Sequence, residues 1–448
     1  MANKLLLTVK RLGINGEGIA YYKRKAVFIP FAIPGEEVEV EIIKDYGNYF
    51  SGKLVNIKKM CNERVKPSCP YFGECGGCQL QHINYDYQLK LKKEIVQESF
   101  DKYFDSNKTK FEILDTIGMD NPFGYRNKTQ LPTRHDGERV VVGMYAMESN
   151  FLVYIDKCLL ENELITKAMR EILDYLTKAS INVYNPRSRS GNLRYIILRG
   201  FEGINEIQAT FVLCEEEPRI IKILRGIKNI KNVESVSYTI NNDPKAVELI
   251  TNKVILLEGK EKINGKLGDL KFEISPSAFF QLNTKQTSVL YDEVRKAINP
   301  KGDELVLDLY CGIGSIGMSI AKSVKEVRGI DININSINDA RTFSKLNGIN
   351  NCKYYCGNII KNLEEFEHEG FKADVVIIDP PRKGVELQLL NYFQKAKYKK
   401  IVYVSCNPAT LVKNLNHLQR EYVIKYVQPV DMFPMTSHVE TVCLLTRK

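Results

Sequence analysis

Residues 305–314 read Leu305-Val306-Leu307-Asp308-Leu309-Tyr310-Cys311-Gly312-Ile313-Gly314. An apolar strand runs into a turn with two glycines, and a helix follows. Glycines at such a turn let a ligand approach the backbone at the carboxyl end of a parallel strand. Moving outward, the same alternation repeats. Val327 to Ile330 is a second strand ending at Asp331, and Lys353 to Cys356 a third. Asp374 to Ile378 is the fourth, ending in Asp379-Pro380-Pro381-Arg382, and Ile401 to Val404 the fifth, ending in Ser405-Cys406-Asn407-Pro408. Strands alternating with helices imply an α/β, doubly wound parallel sheet. Tyr422 to Gln428 and Glu440 to Thr446 follow with no helix between them, the pattern of an antiparallel pair added to that sheet.

Four strand ends then carry polar groups along one edge: Tyr310 with the glycine turn, Asp331, Asn358 and Asp379. An acid after the second strand can accept hydrogen bonds from ribose hydroxyls, and an amide after the third can read an adenine edge. Cys406 emerges at the same edge. A generic cysteine is a small buried hydrophobe, but one at the mouth of a cofactor cleft is placed to react as a thiolate. If the last strand is antiparallel, its first residue, Glu440, faces the same cleft. A thiolate and a carboxylate suit methylation at C5 of uracil. Addition of sulfur at C6 makes C5 nucleophilic, and a base must then remove the C5 proton.

Before this domain the chain changes character. Leu5 to Val9, Ile19 to Tyr22, Ala26 to Ile29 and Val38 to Ile43 are short β-rich runs separated by glycine turns. Such spacing predicts a small barrel over residues 1–59. The barrel carries ten Lys and Arg against six acids, which suits an oligonucleotide as well as a merely solvated surface. Residues 60–92 are cysteine-rich and then helical, and residues 125 to about 270 mix strands and helices. The expected domains are 1–59, a barrel binding RNA; 60–92 with 125–274, a central α+β domain with RNA contacts; and 93–124 with 275–448, the catalytic domain. Arg187, Arg189, Arg194 and Arg199 without an acid, and Arg126 with Lys128, followed by Arg134, are basic clusters. The first cluster, Arg126 and Lys128 are expected to hold RNA phosphates, an exposed solvated face being the alternative for each.

Over its 448 residues the chain is 44% hydrophobic and 26% charged with a net charge of +10. That balance excludes wholesale disorder and fibrous repeats, and no apolar run approaches the ~20 residues of a membrane span. Residues 4–10 are too short an apolar stretch for a secretion signal. A cytoplasmic protein is expected, whose eleven cysteines a reducing compartment keeps from forming a disulfide framework.

The motifs as a set resemble the RNA uracil-5-methyltransferase family. They are Phe280-Gln281-Leu282-Asn283, the 308–314 turn, Asp379-Pro380-Pro381-Arg382-Lys383-Gly384, Val404-Ser405-Cys406-Asn407-Pro408-Ala409-Thr410-Leu411 and the run 431–442 from Asp431-Met432-Phe433-Pro434 to Val439-Glu440-Thr441-Val442. The resemblance implies S-adenosylmethionine as methyl donor, Cys406 as nucleophile and Glu440 as proton acceptor. It places Gln281, Tyr310, Asp331, Asn358 and Asp379 at the cofactor. The chain departs from the family at Lys413-Asn414, where Arg-Asp is common, and at Ser315, where some members carry Asn.

The barrel resembles the TRAM domain of one branch of that family, a branch that also carries an iron–sulfur cluster. Cys69, Cys75 and Cys78, with Cys158 as a distant fourth, match that branch's pattern and imply a [4Fe-4S] site. From spacing alone, a four-cysteine zinc site using Cys61 is a rival. The relatives imply RNA as partner, ribosomal RNA above transfer RNA, with a monomer expected and neither DNA nor membrane. Rival activities are methylation of an exocyclic amine, of cytosine C5, or RNA binding without catalysis.

Overall fold

The computed structural model describes residues 4–105 and 110–448. The chain divides into two compact units, the first made of residues 1–73, 78–120 and 289–448, the second of 74–77 and 121–288.

The first unit contains the parallel sheet. Its strands are β1 (Leu305–Leu309), β2 (Glu326–Asp331), β3 (Cys352–Cys356), β4 (Val375–Ile378), β5 (Lys400–Ser405), β6 (Tyr422–Val430) and β7 (Glu440–Arg447). They lie in the order β3-β2-β1-β4-β5-β7-β6, and the two-residue strand Glu112–Ile113 extends the β6 edge. Strands β1 to β5 pair in parallel, whereas β7 is antiparallel to both β5 and β6. The central strands are apolar on both faces, as a sheet covered on both sides requires: every residue of Val375–Ile378 is buried. The expected antiparallel pair at the end of the sheet is present. The Glu112–Ile113 strand was not foreseen, because two residues carry no readable alternation.

The N-terminal barrel is a six-stranded sheet built from Lys4–Thr8, Arg11–Leu12, Gly18–Tyr22, Lys25–Ile29, Glu37–Asp45 and Tyr49–Lys59. Its interior is Leu7, Val9, Ala20, Val27, Ile29, Ala32, Val38, Val40 and Phe50. Gly52 is required there, since a Cβ would sit 2.6 Å from Val40 Cγ1.

The helix Tyr85–Tyr103 is capped by Asn84, whose side chain accepts from the Asp86 amide. It buries Gln88, Leu91, Lys92, Ile95, Val96, Ser99 and Phe100, the spacing of one helical face. That face joins the core of the first unit with Leu411, Val412 and Leu415. No helix among the described residues is long and apolar enough to cross a membrane.

The second unit carries a seven-stranded sheet in the order Leu152–Tyr154, Arg139–Tyr145, Lys128–Asp136, Leu193–Phe201, Glu206–Leu213, Val233–Ile240 and Val254–Gly259. The helices Glu163–Lys178 and Pro218–Arg225 and the hairpin of Ile263–Leu267 with Leu270–Ile274 complete it. Here the expectation for the arginine cluster is corrected. Arg187 and Arg189 are exposed, but Arg194 and Arg199 are buried at 4% and 2% exposure. Arg194 donates to the carbonyls of Asn241 and Asp243, and Arg199 to those of Ser275 and Ala278. Guanidinium groups buried against loop carbonyls tie those loops to a strand and are shielded from a phosphate. An arginine's sequence neighbours do not reveal which side of the strand it occupies.

Candidate active site

The antiparallel course of β7 brings Cys406 and Glu440 together. Ser405 on β5 pairs with Thr441 on β7, so the next position outward sets Cys406 against Glu440. Thr441 Oγ1 donates to Ser405 O at 3.1 Å and locks this register. Both residues are half-buried. Burial, the adjacent Glu440 and Asp379 push the Cys406 thiol up, while Arg382 opposes them. Glu440 is pushed up to about 8, first by burial and then by Asp379, again against Arg382.

The cysteine loop is held by its own sequence. Asn407 caps the helix Pro408–Leu418, with its side chain accepting from the Ala409 and Thr410 amides, and Pro408 occupies the first turn. Asn407 Nδ2 and Thr410 Oγ1 donate to Arg382 O at 3.3 and 3.2 Å, so the cap also fixes the Asp379–Gly384 loop. Asn414 supports that loop from below. Its Oδ1 accepts from Val385 N at 2.9 Å and from Tyr403 OH at 2.7 Å. The departure from the family at 414 therefore keeps a working hydrogen-bond pair. At the other departure, the Ser315 and Tyr291 hydroxyls lie 2.6 Å apart.

Glu440 is reached through the loop 431–439, which is clamped at two points. Lys92 Nζ lies 2.5 Å from Asp431 Oδ1 with both side chains fully buried, and Tyr85 OH donates to Asp431 Oδ2 at 2.9 Å. Farther along, the Gln79 and Leu80 amides donate to Met435 O at 3.1 and 3.0 Å. Met435 has φ 67°, an unusual conformation for a residue with a side chain. Lys92 and Tyr85 were not singled out in the sequence: a lysine on an apolar helix face was the available signal.

The candidate cofactor edge lies at the carboxyl ends of β1, β2 and β4. Tyr310, Gly312 and Gly314 take left-handed φ values of 61°, 53° and 74°. A Cβ at Gly314 would lie 2.5 Å from the Tyr354 ring. Asp331 accepts from Gly312 N at 2.9 Å and Asn333 N at 2.8 Å, so it shapes the turn while its strand ends beside it. Asp308, not singled out from the sequence, is buried in β1. Its Oδ2 accepts from Gly317 N at 2.9 Å, and its Oδ1 has no partner. Burial pushes Asp308 and Asp379 up to about 7. An acid with one buried, unpartnered oxygen beside a glycine turn fits a cationic sulfonium nucleoside. Asn358 caps the helix Ile359–His368, accepting from Lys361 N at 3.2 Å, so its side-chain oxygen is engaged in the fold. Gln281 belongs to the second unit, where its carbonyl accepts from Asn127 Nδ2 at 2.8 Å.

The four cysteines are divided as well. Cys69 and Cys78 lie in the first unit, Cys75 and Cys158 in the second. All four are half-buried. Among the described residues no group of three or more His, Cys, Asp or Glu stands ready to hold a metal. Two sulfurs nevertheless accept N–H hydrogen bonds. Gln81 Nε2 donates to Cys78 Sγ at 3.2 Å, and Gly77 N to Cys75 Sγ at 3.4 Å. Gln81 Oε1 also accepts from Cys69 N at 3.2 Å. Amide donors aimed at sulfur suit thiolate ligands.

Comparison with known proteins identifies the family. Residues 247–448 match the tRNA (uracil-5-)-methyltransferase family model, and residues 3–55 match the TRAM domain. A Bacillus anthracis protein called an uncharacterized RNA methyltransferase is 42% identical over 444 residues, 99% of this chain and 96% of that one. A Listeria innocua protein of the same description is 42% identical over 447 residues, 99% of this chain and 98% of its own. The crystal structure of Pyrococcus abyssi tRNA (uracil-54, C5)-methyltransferase with S-adenosyl-L-homocysteine superposes with a TM-score of 0.78 at 28% identity, covering 98% of this chain and 99% of that one. With its methyltransferase sheet, TRAM barrel and full-length relatives, the chain belongs to the RNA uracil-5-methyltransferase family and is an S-adenosylmethionine-dependent enzyme of that class.

Proposed function

We propose that the enzyme methylates C5 of a specific uridine in 23S ribosomal RNA, with Cys406 as nucleophile and Glu440 as the base. The observation that carries this is the β5–β7 register, in which a thiol and a carboxyl meet at one strand edge. The bound cofactor supplies an electrophilic methyl on a sulfonium. Cys406 Sγ, as thiolate, bonds to uracil C6, and the C5=C6 electron pair moves toward C5, which takes the methyl. Glu440 then accepts the C5 proton. The C5=C6 bond re-forms, the Sγ–C6 bond breaks and the thiolate leaves. Arg382, the opposing cation at both groups, favours the thiolate before attack and the carboxylate before proton removal. Tyr310, Asp331, Asp379 and Gln281 are proposed to hold the cofactor. Asn358 would do so only through groups other than its capping oxygen.

The barrel over residues 1–59 is proposed to bind RNA. Cys69, Cys75, Cys78 and Cys158 are proposed to hold a structural [4Fe-4S] cluster, since the methyl transfer requires no electron. Ribosomal RNA is favoured by the coexistence of barrel and cysteine pattern, the combination found in the ribosomal branch the sequence resembles. Transfer RNA is the second reading, favoured by the Pyrococcus neighbour. Mass mapping of 5-methyluridine in ribosomal and transfer RNA from a deletion strain decides between them. Loss confined to transfer RNA would overturn the ribosomal assignment.

A further inference from the structure

The barrel has two hairpin turns at one end. One joins Gly18–Tyr22 to Lys25–Ile29 and the other joins Glu37–Asp45 to Tyr49–Lys59. Pairing of Ala26 with Tyr49 sets them side by side. The second turn is tight: Tyr46 N donates to Tyr49 O at 2.9 Å, and Gly47, at φ 83°, donates its amide to Asp45 Oδ1 at 2.8 Å. This turn projects two tyrosines out of the barrel. The Tyr46 and Tyr49 rings stack with centroids 4.7 Å apart and planes 13° apart, and Phe28 meets Tyr49 edge-on at 5.2 Å. Neither tyrosine belongs to the barrel core. They are 48% and 38% exposed, with Tyr21 at 50% on the neighbouring hairpin.

The surroundings are cationic. Lys44 Nζ lies 4.6 Å from the Tyr46 ring centroid. Lys23 and Arg24 form the adjacent turn in left-handed conformations, both exposed. The only acid in the two turns, Asp45, is 3.4 Å from Lys25 and is thereby neutralised. Hairpin closure alone would explain two apolar residues across a turn. It does not explain stacked, solvent-facing rings with a lysine on the Tyr46 face and two exposed cations in the adjacent turn. Aromatic platforms flanked by Lys and Arg take unpaired bases, with the ring holding the base and the cations the phosphates.

We propose that Tyr46 and Tyr49 form a stacking platform for an unpaired base of the RNA substrate, with Lys23, Arg24 and Lys44 on its phosphates. The base covers the Tyr46 ring where Lys44 now rests, and the freed ammonium turns to the backbone. The platform rests on RNA being the substrate, and makes the barrel a reader of single-stranded RNA by stacking rather than a purely electrostatic clamp.

The test uses full-length protein and a fluorescein-labelled oligouridylate, with cofactor binding and thermal unfolding as fold controls. The Tyr46→Leu/Tyr49→Leu pair should weaken binding by about tenfold or more, as loss of base stacking does. The Tyr46→Phe/Tyr49→Phe pair should bind like wild type. With methylated RNA as readout, the leucine pair should raise KM and leave turnover at saturating RNA unchanged. If the leucine pair unfolds the barrel, Arg24→Gln/Lys44→Gln should weaken binding and flatten its salt dependence, by about 0.7 in log–log slope per lost phosphate contact. Wild-type affinity in the folded leucine pair overturns the platform whatever the glutamine pair does, and so does wild-type affinity in the glutamine pair where the leucine pair unfolds. So does equal loss in the leucine and phenylalanine pairs, or a concentration-dependent dimer that the leucine pair abolishes. Absence of methylation by wild type would instead refute the RNA target.

Discussion

Lys92 and Asp431 form an ion pair, Nζ to Oδ1 at 2.5 Å, with no solvent on either side chain. The lysine belongs to the helix Tyr85–Tyr103 and the aspartate to the start of the loop that ends at Glu440. Burial pushes the lysine's pKa down, and Asp431 opposes that. Removing one partner strands a charge in the core. Lys92→Met should cost about 3–5 kcal/mol, and the Lys92→Met/Asp431→Leu pair should recover most of it. Urea unfolding of the three proteins measures this. Equal stability of the single and double variants would show that the pair is not coupled.

The two proposed catalytic groups act at different steps and separate by mutation. Cys406→Ala should abolish methylation and any covalent RNA complex. Glu440→Gln should lower turnover by about 10²–10⁴-fold, the usual contribution of a general base. It should also accumulate methylated RNA bonded to Cys406. Denaturing gels with labelled RNA check both. An adduct mapping to another cysteine would remove Cys406 from the mechanism.

Glu440 at about 8 is largely protonated at neutral pH. A base must be ionised, so release of RNA from the stalled intermediate should quicken as pH rises through about 8 and level off above it. Single-turnover decay of the adduct between pH 6.5 and 9.5 reports this. Stability has the opposite sign. Asp308, Asp379 and Glu440 are all raised in the folded protein. Their favourable contribution is complete below the ordinary carboxyl range and is lost as pH rises through about 7 to 8. Asp379→Asn should flatten that decline.

Protein purified without oxygen should be brown and contain iron and sulfide if the proposed cluster is present. Cys158→Ser should lose the colour, and Cys61→Ser should keep it. Colourless protein with one zinc per chain would support the zinc rival.

The α/β sheet was legible because each strand is a short apolar run ending in a polar motif, and helix and strand periods alternate cleanly after residue 305. The shared strand edge of Cys406 and Glu440 was legible because no helix separates the last two strands, which makes the final strand antiparallel. Asp308 was hidden, since an acid inside an apolar strand reads as part of a motif rather than as a buried carboxyl. Arg194 and Arg199 misled because charge is visible in sequence and burial is not. The amide of Asn358 was plausible at a strand end, but a helix begins there and its oxygen serves the cap.

β7 runs against its neighbours, so the distance between thiol and carboxyl is set by a ladder of main-chain hydrogen bonds rather than by loop geometry. In a pleated strand a slip of one residue turns every side chain to the opposite face. Insertions should therefore follow an asymmetric rule. A residue added between the two clamps of the loop, after Phe433, lengthens only a turn, whereas one added at Val442 forces the strand to choose between keeping its apolar faces buried and keeping Glu440 beside the sulfur.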